Sequence, residues 1–113
     1  MSDVTIYHNP RCSKSRETLE LLRSRGVEPT VIEYLKTPPD AAELSVLLAK
    51  LGKGPRDITR AKEAAEAGIA KDLDGEALVA ALSANPAAIE RPIVVKGDRA
   101  RIGRPPESVL DLL

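Results

Sequence analysis

Val4-Thr5-Ile6-Tyr7-His8-Asn9-Pro10-Arg11-Cys12-Ser13-Lys14-Ser15-Arg16 is the stretch that decides the fold. Val4 to Tyr7 is a β-branched and aromatic run, which predicts a strand. His8-Asn9-Pro10 stops it. From Ser13 to about Arg25 the pattern turns helical: Leu19 and Leu22 lie three apart, and Leu21 widens the stripe. Gly26 is placed to end that helix as a C-cap residue. Thr30 to Leu35 predicts a second strand. Strand, helix and strand joined by short links make a βαβ unit, so the two strands are expected to be parallel. Cys12, the chain's single cysteine, falls on the first strand-to-helix junction.

Beyond Leu35 the pattern becomes helical. Thr37-Pro38-Pro39 breaks the chain, and Asp40-Ala41-Ala42-Glu43 has a capping-box pattern with Asp in the place of Ser or Thr. Leu44, Leu47, Leu48 and Leu51 form an apolar stripe that Gly52 closes. Arg56 to Ala67 is charged, Ala-rich and expected to be helical. Asp74 can cap a further helix through Leu78, Val79 and Leu82, ended by Asn85-Pro86. Arg91-Pro92-Ile93-Val94-Val95 begins a third strand. Lys96-Gly97-Asp98-Arg99 is a tight hairpin turn, and Ala100-Arg101-Ile102 is the returning strand. Gly103-Arg104-Pro105-Pro106 breaks again, leaving Glu107 to Leu113 as a short terminal helix with Pro106 near its first position. The expectation is one α/β domain over residues 1–113, ordered βαβ, helices, ββα, with a helical insertion at about 38–90.

Composition excludes several functions. The chain has 113 residues with 42% hydrophobic content, enough for one core without a metal or disulfide staple. Tyr7 and Tyr34 are its only aromatics, which argues against base stacking. Seventeen acidic and seventeen basic side chains cancel, so no global field draws nucleic acid or anionic lipid. One cysteine cannot form an internal disulfide, and with one histidine it cannot assemble a zinc site, so no metal is expected. The opening residues carry no basic start or long apolar run, so neither a signal peptide nor a membrane span is expected. A cytoplasmic protein with a reduced thiol is the default.

The junction has consequences for Cys12. Free N–H groups of a first helical turn point toward such a sulfur, and the macrodipole favours negative charge there. His8, Arg11, Lys14 and Arg16 are near in sequence. In such surroundings a thiol pKa falls from about 8.5 to as little as about 3.5–7.5. Ser15, three residues on, is placed to donate its hydroxyl to a thiolate. The same N–H groups can hold an oxyanion beside the nucleophile. A lone cysteine is more often a buried structural residue; here the polar, cationic flanks favour a reactive one. Arg60, by sequence alone, reads as a solvated surface charge. Arg91 and Arg104 each precede a proline at an element boundary, where capping and ligand roles are evenly matched.

Thr5 to Arg16 resembles the active-site segment of the glutaredoxin-coupled, ArsC-like arsenate reductase family. Tyr34-Leu35 before Pro38-Pro39, Arg56 and Arg60 after Leu51-Gly52, Arg91-Pro92-Ile93-Val94-Val95, and Arg101-Ile102-Gly103-Arg104-Pro105 match it in order and spacing. The chain is most similar to the compact branch of that family. The resemblance implies a thioredoxin-like fold, a mixed four-stranded sheet with a helical insertion. It implies Cys12 as nucleophile, His8 as the residue that helps keep the thiol ionised, and Arg60, Arg91 and Arg104 as oxyanion ligands. Pro92 matches a proline that is cis in such folds.

Chemistry fits these residue types. Arsenate is a tetrahedral oxyanion, mostly doubly charged at neutral pH, and guanidinium forks match its oxygens. A thiolate attacking an anion needs neighbouring cations to neutralise the approach. Reducing As(V) to As(III) takes two electrons, and Cys12-Ser13-Lys14-Ser15 has Ser15 where a C-x-x-C pair has its second thiol. The partner sulfur must therefore come from outside. The resemblance implies glutathione as co-substrate and glutaredoxin as partner, with no bound cofactor. Two other functions are compatible with the sequence. One is a monothiol glutaredoxin-like oxidoreductase acting on glutathionylated proteins. The other is a non-catalytic thioredoxin-like transcription regulator docking on RNA polymerase, which the absent C-x-x-C switch disfavours.

Overall fold

A computed structural model describes residues 3–113. Met1 and Ser2, part of the opening read for a targeting signal, lie outside the described residues. Strand β1 (Val4–His8) alternates buried and half-buried residues, with Val4, Ile6 and His8 turned inward. It runs through a short loop into helix α1 (Ser13–Ser24) and on to strand β2 (Thr30–Glu33), which pairs with it in parallel. Strands β3 (Ile93–Lys96) and β4 (Arg99–Ile102) complete a four-stranded sheet in the order β2-β1-β3-β4. The β1–β3 and β3–β4 pairs are antiparallel, giving the expected mixed sheet. Gly97 (φ +63°) and Asp98 form the two-residue turn between β3 and β4, a conformation that favours glycine.

β2 stops short of the expected Leu35. Its last pair is His8 with Glu33, so β1 offers no partner beyond that point. The chain turns instead, with the N–H groups of Lys36 and Thr37 donating to the Glu33 carbonyl.

The chain divides into two compact units, residues 3–37 with 91–113, and Pro38–Glu90. In the first, Val4, Ile6, Leu22, Val94, Val109 and Leu112 form the core, with Leu19, Leu21 and Val27 packed against it. The fully buried face of α1 is Ser15, Thr18 and Leu22, so two of its three residues are polar. Apolar periodicity alone misses that face. Gly26 (φ +76°) ends the helix as expected, donating to the Arg23 carbonyl. The terminal segment Pro106–Leu112 is a 3₁₀ helix. Pro106, Val109 and Leu112 recur every three residues and are all buried, a period that matches three residues per turn.

In the second unit α2 (Ala41–Leu51) begins at Asp40, whose carboxylate accepts the Glu43 N–H at 2.8 Å. It buries Leu44, Leu47, Leu48 and Leu51 and ends at Gly52 in the left-handed region. Helix α4 (Gly75–Ala84) buries Leu78, Val79 and Leu82 and packs on α2. The stretch expected to be one helix from Arg56 to Ala67 is instead a 3₁₀ turn (Pro55–Ile58) followed by the six-residue α3 (Ala61–Glu66). Between them the backbone is extended. Arg60 N–H donates to the Ala88 carbonyl and Glu90 N–H to the Ile58 carbonyl, both at 2.7 Å, around an antiparallel Thr59–Ile89 bridge. That non-local pairing overrides a modest helical propensity.

Candidate active site

Cys12 is the N-cap of α1, half-buried, with an extended backbone. Asn9 shapes the loop that delivers it. The Asn9 side-chain Oδ1 accepts the Arg11 N–H and its carbonyl accepts the Cys12 N–H, each at 3.0 Å. The sulfur makes no cap hydrogen bond, but the N–H groups of Ser15 and Lys14 in the first helical turn favour negative charge on it.

Two arginines from the far side of the same unit reach this sulfur. Arg104 Nη2 donates to Cys12 Sγ at 3.4 Å, and its Nε donates to the Arg91 carbonyl at 2.8 Å. The Arg91 guanidinium also favours the charged form of the sulfur. Burial by itself would push the thiol pKa up. The Ser15 N–H, the Arg91 guanidinium, the Lys14 N–H and the charge of Arg104 together outweigh it, and the pKa falls below that of an ordinary thiol. The peptide bonds Arg91–Pro92 and Arg104–Pro105 are both cis. The resemblance pointed only to the first of them.

Ser15 does not do what its spacing suggested. Its hydroxyl lies 2.6 Å from His8 Nδ1 and accepts the Asn9 N–H at 3.0 Å, fully buried. Its backbone N–H, not its hydroxyl, faces the sulfur. Burial lowers the pKa of His8; Glu33 partly opposes this, and Arg23 and Arg16 add to it. An imidazole shifted this way takes up a proton less readily than a free one. His8 Nδ1 and the Ser15 hydroxyl share a hydrogen bond, so the link from His8 to Cys12 runs through the helix turn that Ser15 anchors.

Sequence reasoning passed over the junction that holds Arg104 in place. Thr18 is buried in α1, its hydroxyl 2.8 Å from the Lys14 carbonyl and 3.4 Å from that of Gly103. Gly103 N–H donates to the Pro92 carbonyl at 2.9 Å. A Cβ on Gly103 would lie 2.5 Å from Thr18 Oγ1 and 2.8 Å from Pro92 Cγ. Glycine is used here for its small size, and it sits one residue before Arg104.

Arg60 belongs to the second unit. Its Nε donates to Glu63 at 3.2 Å and its Nη1 to Glu90 at 2.9 Å. Burial alone would lower the guanidinium pKa; the two carboxylates outweigh it and raise it. Of the cations flanking Cys12, Lys14 pairs with Glu17, and Arg16 donates to the Pro10 carbonyl. No cluster of His, Cys, Asp and Glu able to hold a metal occurs among the described residues, and no helix there is long and apolar enough to cross a membrane.

The ArsC family model matches residues 7–112. The chain is 55% identical to "Uncharacterized protein YfgD" of Escherichia coli K12, over 97% of this chain and 96% of the relative. It is 43% identical to an arsenate reductase of Neisseria meningitidis serogroup A, over 96% and 97% of the two chains. Among solved structures, the arsenate reductase from Vibrio cholerae superposes with a TM-score of 0.91 at 49% identity, covering 97% of each chain. The fold these comparisons share with the described sheet is α/β and thioredoxin-like.

Proposed function

The chain belongs to the ArsC family, and from that premise we propose that it is a thiol-dependent arsenate reductase drawing electrons from glutathione and glutaredoxin. The observation that carries this reading is the Arg104 Nη2–Cys12 Sγ bond at 3.4 Å on a sulfur whose pKa is lowered. A thiolate held between two guanidiniums and two N–H groups is a nucleophile placed where an anion would also bind.

In the proposed sequence, the Cys12 thiolate attacks arsenic and an arsenate oxygen leaves as water, forming a sulfur–arsenic bond. Arg91 and Arg104 offset the repulsion between the thiolate and the oxyanion. Arg60 is proposed as a third oxyanion ligand on the strength of the resemblance. A glutathione thiolate then attacks Cys12 Sγ. The electron pair of the sulfur–arsenic bond passes to arsenic, which leaves as arsenite, and Cys12 is left in a mixed disulfide with glutathione. Glutaredoxin attacks the glutathione sulfur and returns Cys12 as thiolate. His8 and Ser15 are positioning residues: they fix the first turn of α1, whose N–H groups hold the thiolate charge.

The test is arsenate-dependent NADPH consumption with glutathione, glutaredoxin and glutathione reductase supplied. The wild-type chain should turn over and Cys12→Ser should show no rate above background. Undiminished turnover by Cys12→Ser would reject the mechanism. Reduction of a glutathionylated protein in place of arsenate would move the assignment to a monothiol oxidoreductase.

A further inference from the structure

Thr18 is fully enclosed on the buried face of α1, the helix that Cys12 begins. Its hydroxyl is 2.8 Å from the Lys14 carbonyl and 3.4 Å from the Gly103 carbonyl, with one proton to share between them. The first contact is the back-bond that a threonine inside a helix ordinarily makes. The second crosses from α1 to the segment after β4, 85 residues away along the chain. Gly103 N–H in turn donates to the Pro92 carbonyl at 2.9 Å. A Cβ on Gly103 would lie 2.5 Å from Thr18 Oγ1 and 2.8 Å from Pro92 Cγ, so three segments meet at a point with no room for a methyl group. Each of the three carries a group that acts on the sulfur. α1 begins at Cys12, Arg91 precedes Pro92, and Arg104 follows Gly103.

We propose that Thr18 is a positioning residue for the Cys12 nucleophile, its hydroxyl fixing the distance between the start of α1 and the backbone that carries Arg104. The inference rests on the reading of Cys12 as the nucleophile. The contacts close a ring: from Thr18 to the Gly103 carbonyl, along one peptide link to Arg104, from Arg104 Nη2 to Cys12 Sγ at 3.4 Å, and back down α1. The Arg104 side chain is long and exposed, and holding it in one geometry costs rotamer freedom. Anchoring its backbone at the neighbouring residue narrows the positions its fork can take. Attraction between a guanidinium and a thiolate falls with distance. Movement of the Gly103-Arg104 backbone away from α1 therefore weakens the hold on the thiolate while every group that touches the sulfur is still present. Thr18 acts through Arg104 and does not itself bond the sulfur.

The thiol itself supplies the readout. Thr18→Val keeps the branched shape and removes the hydroxyl; Thr18→Ser keeps the hydroxyl. Both are made in the full-length chain, each with and without Arg104→Ala, and Cys12 is alkylated with iodoacetamide across a pH series. At pH values below the thiol midpoint, Thr18→Val should slow alkylation about three- to tenfold, and Thr18→Ser should stay close to the wild type. In the Arg104→Ala background the Thr18→Val effect should vanish, because the contact it controls is already gone. If Thr18→Val lowers the melting temperature and leaves the pH profile unchanged, Thr18 only stabilises the fold and the proposal is overturned. It is overturned equally if Thr18→Val slows alkylation as much without Arg104, or if Thr18→Ser slows it as much as Thr18→Val. Where Thr18→Val does not fold, Gly103→Ala forces the same two segments apart and carries the comparison. Its slowing should also depend on Arg104, and a folded Gly103→Ala chain with the wild-type profile overturns the proposal. The alkylation needs no arsenate. A wild-type chain that fails to reduce arsenate therefore loses the proposed reaction alone, whereas a wild-type thiol that titrates like free cysteine overturns this inference.

Discussion

Arg104 and Arg60 carry the same guanidinium into opposite company. Arg104 spends one donor on a backbone carbonyl and another on the Cys12 sulfur. Arg60 sits between Glu63 and Glu90. The first arrangement points positive charge at a nucleophile; the second neutralises it. A guanidinium keeps its charge in any protein, so what differs between the two is the set of acceptors that the fold assembles around each. The same residue type can thus lower a thiol pKa in one unit and tie a loop to a helix start in the other.

This contrast can be broken most sharply at Arg104. Arg104→Ala should cut kcat/KM for arsenate by about 10²–10³-fold and raise the Cys12 pKa, read from thiolate absorbance across a pH series. The melting temperature should change little, because the side chain is exposed. Arg104→Lys should restore only a small part of the activity, since one ammonium cannot reproduce a fork that bonds both the carbonyl and the sulfur. An unchanged thiol pKa in Arg104→Ala would erase the difference between the two arginines.

Arg60→Ala should show the opposite balance in stability. It takes one cation from two partly buried carboxylates, so denaturant unfolding should report a larger loss than for Arg104→Ala, about 1–3 kcal/mol. Equal losses would mean that the carboxylate clamp contributes no more than a surface pair.

Ser15→Ala sharpens the contrast from the helix side. It removes the buried acceptor of the Asn9 N–H and the partner of His8 Nδ1. Leaving those groups unsatisfied should cost about 1–3 kcal/mol and raise the Cys12 pKa as the first turn loosens. Cysteine at position 15 would test the electron source instead, since a resolving thiol there should lessen the dependence on added glutathione.

The smallest effect is a pH dependence of stability. His8 has a folded pKa below its ordinary value near 6.5. The unfolded chain therefore takes up the proton first as pH falls. The stabilisation is complete above about 6.5, and is lost progressively as pH drops through the folded value. Melting temperature should fall across that window in the wild-type chain, and the His8 contribution should be absent from His8→Gln. A slope that survives His8→Gln unchanged would assign it to other groups.

Much of the fold was legible because it is local. The β1–α1–β2 order follows from a β-branched run, a proline stop and a leucine stripe. The Gly97-Asp98 hairpin and the Asp40 cap are turn and cap signals within four residues. Errors arose where distant segments decide. β2 ends at Glu33 because β1 runs out of partners, and the helix expected over 56–67 is interrupted because Thr59 pairs with Ile89. Within the site, the junction and its sulfur could be read from Cys12 and its flanks. The Ser15 hydroxyl was assigned to the wrong partner, because helical spacing places it near the sulfur but cannot show that His8 Nδ1 lies 2.6 Å away.

By itself, then, the amino-acid sequence determined the order of the elements and placed the lone thiol at a helix start, since these depend on neighbours along the chain. Tertiary structure alone decided which charges meet. Arg104 is 92 residues from Cys12 yet bonds its sulfur, and Glu90 is 30 residues from Arg60 yet holds its guanidinium. Hydrogen bonds act over about 3 Å. Only the folded backbone brings such distant residues within that reach.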